Sequence, residues 1–280
     1  MKKRNALPLV LTALVAALAI AQTAKPNKDL IGQEDVYKIR IFEQADNDVP
    51  TVEFKNDVVD RFIRSQRGSG DFEEVNFEKK FRGWPRSRQV KYILEYAEDD
   101  KDILQDILIK NDPKVIREFQ SSIWPMVSQN CGQIKCHGAA KGKGGFALLR
   151  GSGEKNLYTN FLILSLWEKD GQRMIDRGDN ENSLLLQYGL PAKVAKMRHP
   201  DHDTNLFASM KAGNYRKVEA WVSRLKGARQ PDYGTTYQPP VGLKLSSGGS
   251  TLTTQTTSGP ASGPATDAAD QEENDNPFDK

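Results

Sequence analysis

The stretch SQNCGQIKCHGAAKGKGG, residues 128–145, holds both cysteines of the 280-residue chain, Cys131 and Cys136, with His137 directly behind the second. Two thiols and an adjoining imidazole in this pattern can do one of three things. They can add to the two vinyl groups of a haem, each forming a thioether, while the histidine takes an axial position on the iron. They can close a small disulfide loop in an oxidising compartment. With further donors they can hold zinc or another metal. The common haem-attachment spacing is C-x-x-C-H; the C-x4-C-H found here keeps the Cys–His junction and lengthens only the loop between the thiols. All three histidines, His137, His199 and His202, lie in one region, and a second ligand cluster, KMRHPDH, sits at 196–202.

Other chemistry is poorly supplied. No Ser-His-Asp arrangement or paired carboxylates stand out. KGKGG at 141–145 lacks the G-x-x-x-x-G-K-[ST] spacing of a phosphate loop and reads as a solvated turn. Lys141, Lys143 and Arg150 are placed to pair with haem propionates or an acidic partner, or simply to solvate a loop. Trp124, Phe146, Leu148, Leu149 and Trp221 suit a haem pocket wall and an ordinary core equally well, and Met126 reads as core.

The elements that must position these residues lie between two distinctive ends. Lys2, Lys3 and Arg4 precede an apolar run from Ala6 to Ala21, the pattern of a secretory signal cleaved near Ala21 or Ala24. An uncleaved anchor is the alternative, although the run is shorter than a spanning helix needs. Residues 230–280 form a Ser/Thr/Gly/Pro-rich stretch ending in acids; from Pro231 onward there are seven acids against two lysines, a net of −5. That composition predicts disorder. The body between carries a net of +5 with both signs interspersed. This balance points away from nucleic acid and towards a soluble surface that an acidic protein could meet. Roughly 205 residues remain between Gln22 and Arg229, enough for one large or two small domains. No later apolar stretch is long enough to span a membrane.

Residues 23–120 read as a charged, mostly helical module. EDVYKIRIFE fits either a strand or a helix; NDVVDRFIRSQRG fits a helix capped by Asn56 and closed by Gly68. Ser87 is placed to cap RQVKYILEYAEDD, DILQDILIKND follows, and Pro113 opens PKVIREFQSSIW. Phe72, Phe77, Phe81 and Trp84 are predicted core. Further on, IWPMVSQNC predicts a short helix starting at Pro125 and delivering Cys131. LYTNFLILSLWEKD fits a strand or a helix. In NYRKVEAWVSRLKG the spacing of Val218, Trp221, Val222 and Leu225 predicts a helix with one buried face.

The run IWPMVSQNCGQIKCHGAAKGKGGFALLRG resembles the opening of secreted planctomycete-type cytochrome c domains: a Pro-led helix, a cysteine pair with His-Gly, a Lys/Gly loop and a GG-aromatic-x-L strand. NSLLLQYGLPAKVAKMRHPD and YRKVEAWVSRL are similar to the later part of such domains. The likeness covers about Ser121 to Lys226. It implies haem c anchored by Cys131 and Cys136, His137 as proximal iron ligand, and a distal ligand taken from Met197 or His199, with His202 a third candidate. The choice matters, because a thioether raises the reduction potential relative to a second imidazole. The expected architecture is mainly α: a signal at 1–22, a helical module at 23–120, a cytochrome c-like domain at 121–229 and a disordered tail at 230–280. The expected function is electron transfer in the periplasm or another exported setting, with a redox protein as partner and no enzymatic activity. A haem-bearing sensor or redox-complex subunit, and a haem-free interaction protein stapled by a Cys131–Cys136 disulfide, are the alternatives. The partners that donate and accept the electron are unknown from sequence.

Overall fold

The structure is a computed structural model describing residues 29–139, 142–201, 206–228, 231–240, 242–243 and 245–246. The expected signal and the part of the expected tail beyond 246 lie outside the described residues, as do Lys141 and His202. Among the described residues no helix is long and apolar enough to cross a membrane.

The chain is mainly helical. EDVYKIRIFE resolves as helix α1, Gln33–Phe42, burying Val36 and Ile39. Strand β1, Val52–Phe54, pairs antiparallel with β2, Ile107–Ile109, setting Val52 opposite Ile109 and Phe54 opposite Ile107. Between them come α2 (Val58–Gln66), α3 (Phe77–Arg82), α4 (Arg86–Tyr96) and α5 (Lys101–Leu104). Two expected caps are corrected. Asn56 lies outside α2 with φ 49°, its amide donating to Asp106, and Ser87 falls inside α4, whose N-cap is Pro85. Helix α2 starts after Asp57, the Asn56 amide being engaged by Asp106, and in α4 proline, with its fixed φ, sets the start two residues before Ser87. DILQDILIKND is likewise divided between α5 and β2. Ile107, Leu108 and Ile109 are all buried, and a continuous apolar triplet suits a two-faced buried strand.

From Lys114 a single helical run carries the chain to the cysteines: α6 (Lys114–Glu118), a π turn at Phe119–Ile123, and α7 (Trp124–Asn130). Pro125 sits within this run and does not begin it. Proline has no N–H to donate one turn back, and the widened turn just before it accommodates the missing bond. The expected boundary at 120/121 therefore falls inside the π turn.

Two apolar cores divide the chain. One is built from Val52–Ile109 around Phe62, Phe81, Val90 and Ile93. The other joins Ile31, Val36 and Ile39 of the α1 region to residues from Val115 onward. Its centre is α8, Glu154–Leu166, buried from Asn156 through Ser165; a helix apolar on all sides belongs inside a protein. Short strands β3 (Glu168–Lys169) and β4 (Gln172–Arg173), helix α9 (Leu184–Gln187) and helix α10 (Gly213–Val222) complete it. Val218, Trp221, Val222 and Leu225 are all buried, as their spacing predicts. Trp221 stacks on Phe119 at 5.5 Å and donates its indole N–H to the Val115 carbonyl at 2.9 Å.

Disorder from residue 230 is corrected for the described part of that segment. Tyr233 and Leu243 are buried, Leu245 bridges to Trp167, and the Ser246 amide donates to the Leu166 carbonyl at 3.0 Å. These apolar anchors, scattered among turn-forming residues, supply enough burial to order the chain.

Candidate functional site

The site is assembled from α8 outward. The Asn160 amide of α8 pairs with the backbone of Leu149 in both directions: its Nδ2 donates to the Leu149 carbonyl at 2.9 Å, and its Oδ1 accepts from the Leu149 amide at 2.8 Å. This two-bond clasp fixes residues 146–149, which form only an isolated bridge between Lys143 and Phe146 where a strand is expected. The Leu148 amide then donates to the His137 carbonyl at 2.7 Å, and the His137 ring packs edge-on against Phe146 with centroids 4.9 Å apart.

On the other side α7 delivers the thiols. It ends at Asn130, and the Cys131 amide donates to the Val127 carbonyl at 2.7 Å. The chain folds back so that the His137 amide reaches the Cys131 carbonyl at 3.0 Å. The fold-back is tight. A Cβ on Gly132 would stand 2.7 Å from the Ser128 carbonyl oxygen, and one on Gly138 would overlap the Gly132 carbonyl. Gly138→Ala must therefore push two backbone segments apart; the expected result is a loss of about 1–3 kcal/mol in urea unfolding, with Gly213→Ala, where an added Cβ meets nothing within 4 Å, as the comparison.

Cys131, Cys136, His137 and His199 all line one cavity of about 700 Å³, within the size range of small-molecule and cofactor sites. Its inner wall is apolar, with Phe146, Leu164, Trp167 and Leu184, and Lys135, Lys143 and Lys169 also contribute to the lining. The centroids of the His137 and His199 rings are 5.9 Å apart, their planes inclined by 61°. Tyr188, also on the wall, presents itself edge-to-face to His199 at 5.2 Å. Met197 does not line the cavity; it is half-buried against the apolar core.

Of the other residues expected to wall a pocket, only Phe146 does so. Trp124, Leu148, Leu149 and Arg150 line a separate cleft of about 160 Å³, and Trp221 is core. Met126 packs half-buried on the core. Leu206 lines the cavity and Phe207 is fully buried, while Thr204 and Asn205 lie outside the described residues.

The protonation chemistry separates the two imidazoles. His137 Nδ1 lies 3.1 Å from the Phe146 carbonyl oxygen. A carbonyl only accepts, so Nδ1 carries the proton and Nε2 keeps its lone pair, the arrangement found behind metal-ligating histidines. Burial also lowers the His137 pKa, favouring the neutral ring. His199 Nδ1 accepts from the Asp201 amide at 3.3 Å, a long contact. Cys131 and Cys136 are free thiols, and burial, followed by the neighbouring Cys136, pushes the Cys131 thiol up to about 11. It is protonated at neutral pH and is not a reactive thiolate.

These donors fit haem c. Two imidazoles on opposite sides of one metal, with metal–nitrogen bonds of about 2.0 Å, have ring centroids roughly 6 Å apart. The apolar wall suits a macrocycle and the lysines suit its carboxylates. Among the described residues no group of three or more His, Cys, Asp or Glu is gathered as a metal-ion site. The fold and site thus define a mainly helical chain with two thiols and two imidazoles on one largely apolar cavity. Comparisons with protein-family models, curated proteins and solved structures return no match to this chain.

Proposed function

We propose that this chain is an exported, cytochrome c-like electron carrier holding one haem c. Cys131 and Cys136 are its thioether anchors, His137 is the proximal ligand, and His199 is the ligand on the opposite side. A bound haem supplies one-electron ferrous–ferric chemistry. The observation that carries the reading is the 5.9 Å spacing of His137 and His199 on a cavity that both thiols also line. Met197, which the sequence leaves level with His199, is set aside because it packs on the core.

The chain's own contribution is positional. Phe146 holds the His137 ring by its carbonyl and its face, leaving Nε2 directed away from that bond. His199 would hold the group through Nε2 in the tautomer with its proton on Nδ1, giving up the 3.3 Å contact in which Nδ1 accepts from the Asp201 amide. The apolar wall lowers the local dielectric and excludes water, which are the protein's means of setting a haem potential. With His137 and His199 both holding the group, the chain would pass electrons to a redox protein and not activate a substrate. The alternative of a haem sensor predicts rapid gas binding to the reduced wild-type iron.

The test is to express the chain in a bacterium carrying cytochrome c maturation machinery and measure mass and visible spectrum. One covalent haem that survives denaturation, and is lost in the Cys131→Ala/Cys136→Ala double variant, is expected. A colourless product with an oxidised cysteine pair, while a control cytochrome matures normally, overturns the proposal in favour of a disulfide-stapled interaction protein.

A further inference from the structure

His199 sits on a segment without regular secondary structure, so something else must hold it in place. Residues 191–201 turn at Pro191, whose carbonyl accepts from the amides of Val194 and Ala195 at 2.8 and 3.0 Å. The next grip comes from a side chain. Gln187, the last residue of α9, is 1% exposed. Its Nε2 donates to the Glu181 carbonyl at 2.5 Å, and its Oε1 accepts from the Lys196 amide at 2.8 Å and, more weakly, from the Met197 amide at 3.5 Å. His199 follows two residues later.

Tyr188, the residue after Gln187, holds a neighbouring point of the same stretch. The Tyr188 ring packs edge-to-face on the His199 imidazole. The Gly189 carbonyl accepts from the Phe207 amide at 2.8 Å, and a Cβ on Gly189 would stand only 2.5 Å from the Phe207 ring. Gln187 and Tyr188 thus touch the ligand segment before and at the imidazole, and Gly189 packs on Leu206 and Phe207.

We infer that Gln187 is the positioning residue for His199: its buried amide sets the register of the 196–199 segment and so aims the imidazole into the cavity. The inference rests on the haem reading above. All three partners of the Gln187 side chain are backbone groups, so its removal leaves the Glu181 carbonyl and the amide donors of Lys196 and Met197 to find water. The segment then samples positions in which the ring is withdrawn, and the fraction of time the imidazole occupies its place falls.

The test uses the full chain in two forms. In the haem-loaded protein, Gln187→Leu keeps the shape and removes the acceptor; Gln187→Glu restores an acceptor for the same amides; Leu186→Ala removes a buried side chain of the same helix that does not line the cavity. Gln187→Leu is expected to speed carbon monoxide binding to the reduced iron by about tenfold and to raise the high-spin fraction, while Gln187→Glu and Leu186→Ala stay near wild type. In the haem-free Cys131→Ala/Cys136→Ala chain, Gln187→Leu is expected to accelerate hydrogen exchange at the Lys196 and Met197 amides about tenfold, leaving α10 amides unchanged.

A Gln187→Leu protein that melts earlier but keeps wild-type gas binding and spin state overturns the inference, as does a Leu186→Ala protein showing the same changes. A wild type that takes up no haem, or a His199→Ala protein that binds gas no faster than wild type, overturns the underlying reading, and the inference falls with it. Faster binding in His199→Ala without any in Gln187→Leu removes the inference alone.

Discussion

His199→Ala is expected to keep its covalent haem and lose its sixth ligand. On the proposed reading the thioethers would depend on Cys131 and Cys136 and the proximal bond on His137, so colour and denaturation-resistant mass should persist. The reduced protein, by contrast, should bind carbon monoxide on the order of 100-fold faster, because a gas waits for a vacancy that the native imidazole leaves open about 1% of the time or less. Met197→Leu should change neither the spectrum nor the binding rate, since that side chain packs on the core and not on the cavity. The wild-type oxidised spectrum should lack the far-red band of methionine–iron bonding, and its potential should lie on the low side for a c-type centre, as a second imidazole implies. If Met197→Leu opens the iron and His199→Ala does not, the ligand assignment is wrong even though the haem reading stands.

Why this half of the site had to come from the structure follows from the physics of its positioning. Cys131, Cys136 and His137 are adjacent in the chain, and their chemistry is legible as a string because adjacency alone brings them together. Met197 and His199 are equally close in sequence to where a second ligand is needed. What distinguishes their surroundings is a loop whose Lys196 amide donates to Gln187 and whose His199 ring packs on Tyr188, and neither partner carries a motif. Likewise the 3.6-residue recurrence of Val218, Trp221, Val222 and Leu225 announces α10, because a helix with one buried face writes its period into the sequence. Three-residue strands write almost nothing. The pairing of Val52–Phe54 with Ile107–Ile109 spans more than fifty residues and rests on two short apolar groups that fit helical neighbours just as well. The packing of the described residues between 231 and 246 was hidden in the same way, the anchors Tyr233 and Leu243 lying among residues that by composition favour disorder.

Tyr233 belongs to the interaction whose loss should cost the fold most. Arg177 and Glu43 form an ion pair at 2.7 Å with side chains 1% and 0% exposed. Around it, Arg177 Nη1 donates to the Lys226 carbonyl at 2.6 Å and its Nη2 approaches the Tyr233 hydroxyl at 2.7 Å. That hydroxyl donates to Glu43 Oε1 at 2.6 Å, and the Lys226 amide reaches Oε2 at 3.3 Å. The network ties the end of α1, the loop after β4, the end of the α10 segment and the 231–246 strap to one another. Burial pushes the Tyr233 hydroxyl well above its usual range, keeping it a neutral donor. Arg177→Met removes one charge and strands the other: the Glu43 carboxylate remains inside with the tyrosine and one amide, and the expected loss is about 3–5 kcal/mol. For a body of this size that is a fall of about 10 °C in Tm. Arg177→Met/Glu43→Leu should recover much of this loss, because removing both charges abolishes the desolvation penalty along with the attraction. Urea unfolding of the two single variants and the double variant measures the coupling directly. A single variant within about 1 kcal/mol of wild type would mean that water reaches the pair; a double variant no better than the singles would mean that the network's packing, and not its buried charge, holds α1 to the C-terminal strap.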